Sequence, residues 1–196
     1  MKKIPSVFER NFDGDMLLRD EVVPGCEWVL AGEGVPTVKW DGTACMVRDD
    51  QLFTRYDRKR NRKTGKRKPA PPGWEACEEE PNEHTGHWPG WVPVGEDEPQ
   101  FTHHRHAKVE AGHLPDGTYE LIGPKFQGNP QAVSDSWFVP HGKTEVPCGE
   151  RTFEAIRTRL GVTPFEGIVF HHEDGRMAKV KRKDFGLPWP IPDGGE

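Results

Sequence analysis

The chain predicts an α+β fold built on antiparallel sheet, and three observations lead there. Short runs rich in Val, Phe, Tyr and Thr recur along it, bounded by Gly, Pro and Asp. Two pairs of these runs are joined by tight turns: residues 43–47 with 51–56 around Asp49-Asp50, and 167–171 with 176–181 around Glu173-Asp174-Gly175. Helices are few, and the best of them is the stretch 151–160, which repeats with the period of a helix. Strands therefore dominate, as in an α+β arrangement.

In chain order, residues 27–39 alternate apolar and turn residues, as two short strands would. The hairpin 43–56 follows. Residues 57–100 are rich in Pro, Gly and charge without periodicity, which predicts a long surface insertion. Residues 118–123 form a strand, and 137–139 a short one stopped by Pro140. In the helix at 151–160, Phe153, Ile156 and Leu160 share a face and Gly161 suits the C-terminal cap. The second hairpin comes next, and 185–196 reads as an irregular Pro- and Gly-rich tail. No internal repeat appears, and a single domain spanning 1–196 is expected.

Composition narrows the class. Hydrophobic residues make up 33%, which is low, but seven Trp and ten Phe are enough for a modest core. No apolar stretch is long enough to span a membrane, and the N-terminal Met1-Lys2-Lys3-Ile4-Pro5 lacks the apolar run of a signal peptide. A cytoplasmic protein is expected. Cys26, Cys45, Cys77 and Cys148 form no CxxC pair, so they read as free thiols. His84, His87, His103, His104 and His106 can be drawn with Cys77 as a zinc site, but closed zinc sites pair their ligands more tightly.

The net charge of −5 argues against non-specific nucleic-acid binding by the whole chain. One segment argues the other way: residues 55–68 read RYDRKRNRKTGKRK, with nine basic residues and one Asp. Glu75, Glu78, Glu79 and Glu80 follow, so the run is either a loop neutralised by them or a phosphate-binding patch.

An ordered set of residues carries the chemistry: Lys39-Trp40-Asp41-Gly42, then Glu120, then Glu166, then Lys179-Val180-Lys181. A lysine amine attacks phosphorus only when neutral, yet its ordinary pKa is about 10.4. Neighbouring cations and partial burial lower it. Lys179 and Lys181 lie two apart in a strand, so both reach one face while Val180 packs behind. There they suit a nucleotide's α-phosphate and its pyrophosphate leaving group. Gly42 permits a sharp turn, and Asp41 suits fixing it through nearby backbone amides. Glu120 and Glu166 are hard oxygen donors for Mg²⁺ or Mn²⁺, and Glu120 alternatively accepts from ribose hydroxyls. Singly, each piece is commonplace. Together they fit transfer of a nucleotide onto Lys39.

These segments resemble motifs I, III, IV and V of the covalent nucleotidyltransferases: ATP-dependent DNA ligases, RNA ligases and mRNA-capping guanylyltransferases. The stretches KWDGTAC, RYDRKRN, HWPGWVPV, ELIGPKFQGNP, FVPHG, EGIVFHHEDG and KVKRKDFGLPWPIP closely resemble the RNA ligase 1 family of ATP-dependent 5′-to-3′ RNA ligases. The likeness runs from about Lys39 to Pro192. It implies an adenylation domain of antiparallel sheets flanked by helices, with ATP between them. It makes Lys39 the adenylated nucleophile, with Lys179, Lys181 and Glu166 catalytic and Glu166 and Glu120 at the metal. Val38, Trp40, Asp41, Gly42, Arg55, Arg58, Glu120 and Phe138 would line the nucleotide, with Trp137 and Phe170 as alternatives for the aromatic that stacks on adenine. The implied substrates are ATP and RNA bearing 5′-phosphate and 3′-hydroxyl ends.

Two departures from the wider superfamily are informative. Ala44-Cys45 stands where DNA ligases carry an Arg, and no oligonucleotide-binding domain is expected after the lysine pair. Nick sealing, AMP transfer to protein and RNA binding without catalysis are the rival activities. Oligomeric state is not encoded in any of these features.

Overall fold

The computed structural model describes residues 2–61, 63–83 and 85–192. In chain order its elements are β1 (Phe8–Arg10), β2 (Leu18–Val22), α1 (Glu27–Leu30), β3 (Val35–Lys39), β4 (Thr43–Arg48), β5 (Gln51–Asp57), β6 (Glu75–Ala76), β7 (Pro89–Pro93), α2 (Thr102–Ala111), β8 (Gly117–Ile122), β9 (Trp137–Pro140), α3 (Phe153–Gly161), β10 (Gly167–His171) and β11 (Met177–Lys181). Every strand pairing between these elements is antiparallel, with few helices, an α+β architecture. The chain divides into two compact units. One comprises Met1–Lys3, Gly42–Asn129 and Val133–Pro140; the other comprises Ile4–Asp41, Pro130–Ala132 and His141–Glu196.

The second unit is built on a three-stranded sheet in the order β11-β10-β3, with β1 and β2 as a separate ribbon. Its core gathers Phe8, Val29, Ile156, Leu160, Ile168, Phe170, Ala178 and Val180, all fully buried. Burying each large apolar side chain stabilises by about 1.5–3 kcal/mol. Helix α3 forms as its periodicity predicts. Thr152 Oγ1 accepts from the Ala155 amide at its N-terminus, and Ile156 and Leu160 insert into the core. The C-terminal carbonyls find a buried partner in Arg182, which donates to Leu160 O and, at 2.7 Å, to Thr163 O. The free edge of β11 is covered by the N-terminal segment: the Val7 amide donates to Lys179 O and the Lys179 amide to Pro5 O.

Residues 27–30 form a turn of helix, not the first of the two strands expected at 27–39. Trp28 and Val29 are both buried, and adjacent strand residues would face opposite sides. Gly34 (φ +73°) then reverses the chain where a β-carbon would collide with the Trp28 ring and His171 O.

The first unit carries a six-stranded sheet in the order β6-β7-β5-β4-β8-β9. The β4–β5 hairpin turns at Asp49 and Asp50, whose φ values of 52° and 60° are those of a primed turn. One face packs Cys45, Val47, Leu52, Tyr119 and Leu121 against Ala107 of α2 and Phe126. The 57–100 segment departs from a pure surface insertion. It supplies β6 and β7 to this sheet, with Trp91 and Val92 buried. Prolines at both ends of β7 mask its strand character, a placement strands tolerate.

The cysteines are reduced thiols, with Cys26 and Cys45 buried. Among the described residues no helix is long and apolar enough to cross a membrane. The expected irregular tail begins in a short 3-10 turn over Arg182–Phe185, and Trp189 is buried. Residues 193–196 lie outside the described residues.

The β10–β11 turn has a titratable clasp. His172 meets Glu33 Oε2 and Asp174 Oδ1, each at 2.9 Å, and the bond to Glu33 chiefly raises its pKa. A histidine raised in the folded state stabilises fully below its unfolded pKa of about 6.5, and that contribution is lost as pH rises through the folded value. The urea midpoint of His172→Gln should therefore fall further below wild type at pH 5.5 than at pH 8.5.

Candidate functional site

Strand register assembles the lysines. Gly167 of β10 lies directly opposite both Lys39 of β3 and Lys181 of β11. Directly opposed residues share a face, so Lys39 and Lys181 flank a position with no side chain. The glycine is required: a β-carbon at Gly167 would sit 2.1 Å from Val180 O. Two rungs away, Val169 opposes Thr37 and Lys179, placing Lys179 on the same face. Val180, Ile168 and Val38 point the other way into the core. The expected alternation of Lys179 and Lys181 about Val180 is thus present, and β11 is not a bare solvated edge.

Glu166 precedes β10 and joins the two flanking lysines. Its Oε2 forms a close ion pair with Lys39 Nζ, and its Oε1 lies 3.8 Å from Lys181 Nζ. Burial raises the Glu166 pKa, an effect opposed by Lys39 and reinforced by Asp41. Lys39 Nζ also donates to Trp40 O at 3.4 Å. The ion pair favours the charged form of both partners. His171 also lies on the lysine face, bonded to Thr37 Oγ1 at 3.0 Å, and burial lowers its pKa.

The Lys39 turn is held differently from expectation. Asp41 does not cap nearby amides: its Oδ2 accepts from Trp189 Nε1 at 2.7 Å, and its carbonyl accepts from Gln131 Nε2 at 3.0 Å. Burial of an indole N–H calls for an acceptor, and the carboxylate supplies a charged one. Gly42 is needed for close approach, because a β-carbon would sit 2.3 Å from Leu121 O. Its amide donates to Glu120 Oε1 at 2.9 Å. The indole N–H of Trp40 is buried without an acceptor among the described residues. Val38 contributes no side chain to the lysine face: it packs toward the core, and its amide donates to Thr144 O.

In the six-stranded sheet, Glu120 opposes Ala44 on one side and Val139 on the other. Arg55, opposite Trp91, falls one residue beyond the Cys45–Thr54 rung, on the Ala44 face. Glu120 and Arg55 therefore share a face. Phe138 does not join them. It opposes Leu121, packs its ring against Tyr119 and belongs to the core side. Trp137, 58% exposed, lies instead on the Glu120 face, which also carries the buried Trp91 opposite Arg55. Phe170 is fully buried under Arg151 in its own core and has no surface left for a base. Arg58 also departs from a nucleotide-facing position: its guanidinium sits over Trp74 and Trp88, at 4.8 and 5.0 Å.

Two of the histidines drawn as zinc ligands have other partners. His87 Nδ1 meets Asp57, and His104 Nε2 lies 3.3 Å from Thr54 Oγ1. His84 lies outside the described residues. Among those described, no three His, Cys, Asp or Glu side chains gather as a metal cage. The donors that fit a divalent ion are single carboxylates. That suits Mg²⁺ or Mn²⁺, which takes one or two carboxylates and completes its shell with phosphate and water.

The profile of the RNA ligase 1 family matches residues 106–195. RNA ligase 1 of Pongo abelii is 30% identical over 230 aligned residues, covering 81% of this chain and 69% of the relative. The chain belongs to the RNA ligase 1 family. RNA ligase 1 of Rattus norvegicus is 30% identical with the same coverage, and that of Danio rerio 27% over 80% of this chain and 69% of its own. The profile match takes in Glu120, Glu166 and both lysines of β11; the relatives' coverage is wider.

Proposed function

We propose that this RNA ligase 1 family member is an ATP-dependent RNA ligase acting through lysyl-AMP at Lys39 on a nucleotidyltransferase fold. The observation that carries the reading is one rung of sheet: Lys39 and Lys181 on either side of Gly167, joined by the buried Glu166.

Lys39 Nζ first gives up a proton and leaves its ion pair. Glu166 is the adjacent acceptor, and its burial raises its proton affinity. The freed amine attacks the α-phosphorus of ATP in line, forming a phosphoramidate bond while the bond to pyrophosphate breaks. Lys181 and Lys179 stabilise charge growing on the phosphoryl oxygens and the leaving group. AMP then passes to the 5′-phosphate of an RNA end, freeing Lys39. In the last step a 3′-hydroxyl displaces AMP and forms the phosphodiester. Glu166 and Glu120 would each offer a carboxylate to Mg²⁺ or Mn²⁺, which supplies Lewis-acid polarisation of the phosphates. Glu120 alternatively takes the ribose hydroxyls, and Arg55 the ribose or RNA end.

Intact mass after incubation with ATP and Mg²⁺ tests this directly. A gain of one AMP, reversed by 5′-phosphorylated RNA with appearance of a sealed product, is expected. An unchanged mass would sink the reading.

The indole clamp on Asp41 gives a finer test. Trp189→Phe keeps an aromatic ring, though a smaller one, and removes the donor, a hydrogen bond to a charged group worth about 1.5–3 kcal/mol. The adduct-forming rate at saturating ATP should fall about tenfold, the ATP concentration for half-saturation staying constant. A rate unchanged beside a lowered urea midpoint would make Trp189 a packing residue only.

A further inference from the structure

We infer that residues 59–61 and 63–68 form a preformed docking surface for the phosphate backbone of RNA. The inference takes its ligand class from the ligase reading above, while the surface itself stands on its own geometry.

The described residues of this segment are held by their own bonds. The Asn61 amide donates to Lys66 O at 2.8 Å, the Lys68 amide donates to Lys59 O at 3.2 Å, and Asn61 Oδ1 accepts from the amides of Lys63 and Thr64. Arg60 and Arg67 pair as an isolated bridge. The hairpin thus sets Arg60 against Arg67 and Lys59 against Lys68, and like charges placed directly opposite repel.

What holds this unfavourable arrangement is a cage at its base. The Arg58 guanidinium lies over Trp74 and Trp88, whose rings meet edge-on at 5.1 Å, and Arg58 Nε donates to Lys68 O at 3.1 Å. Arg67 donates to Arg58 O at 2.6 Å and Gly86 O at 2.7 Å. Trp74 and Trp88 are anchored through their own indole N–H groups, to Tyr56 O and Glu78 O. Two arginines are therefore consumed in structure, and Lys59, Arg60, Lys63, Lys66 and Lys68 are left exposed. Arg62 lies outside the described residues and is left out of the surface.

The neighbouring acidic stretch does not neutralise them. Glu75 pairs with Arg48 at 2.8 Å, and Glu78 accepts from the Lys3 amide. Asp57 is turned to His87 and the Trp88 amide. Among the described residues none of the five exposed cations is ion-paired with a carboxylate. Cations held together without counter-charge are what a polyphosphate strand relieves, and a rigid base lowers the ordering cost of binding.

The test is fluorescence anisotropy with a 3′-labelled, 5′-phosphorylated single-stranded RNA of about twenty nucleotides, titrated over a range of salt. Wild type should show log affinity falling linearly with log salt. Replacing Lys59, Lys63, Lys66 and Lys68 by Gln should flatten the slope by about 0.7 for each phosphate no longer neutralised, up to about 2.8 in all. The Lys59/Lys63 and Lys66/Lys68 double variants should each remove about half of that, which keeps the test sound if the quadruple variant folds poorly. AMP transfer to Lys39 should proceed at the wild-type rate in all three. Slopes matching wild type, or a wild type that binds no RNA at any salt, would overturn the surface and leave the ligase reading standing. A wild type that forms no AMP adduct yet shows the slope changes would retain the surface and overturn the ligase reading.

Discussion

Lys39→Ala should abolish the AMP adduct outright. The substitution removes the proposed nucleophile, and the remaining lysines of the face stand elsewhere: Lys181 lies across Gly167 and Lys179 two rungs along. Lys39→Arg should fail equally, because a guanidinium stays protonated and offers no free pair. The two variants separate chemistry from folding. Alanine leaves Glu166 buried without its closer partner, whereas arginine retains a cation there. Alanine should therefore lower the urea midpoint more than arginine, while both give a bare mass. A variant that still gained one AMP would move the nucleophile elsewhere.

The second large effect concerns the β11 lysines, and the register ranks them. Lys181 shares the rung of Lys39 and approaches Glu166; Lys179 is two rungs away. Losing a charge aimed at the transition state costs about a hundred- to a thousandfold. Lys181→Ala should reach this range in the single-turnover rate of adduct formation. Lys179→Ala should cost less, about tenfold, and should act mainly on pyrophosphate departure. Rapid-quench measurement with labelled ATP decides the ranking. Equal wild-type rates in both would reduce the pair to a solvated row.

Local chemistry explains which parts of the fold were legible in the sequence. Both hairpins announced themselves through turn residues, and α3 through Ile156 and Leu160. Helix α2 left no such trace: Ala107 is its only buried residue and Val109 is 80% exposed, so no apolar stripe exists to detect. Strand β7 hid behind its prolines. At the candidate site, period-2 spacing sufficed to put Lys179 and Lys181 on one face. Residues whose placement depends on long-range pairing were misjudged. Phe138 faces the core because it opposes Leu121, a register no local pattern reveals. Asp41 meets an indole 148 residues away, and Arg58 is enclosed by tryptophans from a segment that reads as loop.

The five residues of β11 carry the lysines on one side and the core on the other, and that shared backbone makes catalytic geometry an all-or-none property. A slip of one residue would turn Lys179 and Lys181 into the apolar interior and Val180 out onto the face of Lys39. Two buried ammonium groups would cost more than a domain's usual margin of stability. Misaligned molecules are thus eliminated as unfolded rather than persisting as folded but inactive ones. Quality control that recognises exposed core would, in effect, be inspecting the candidate site.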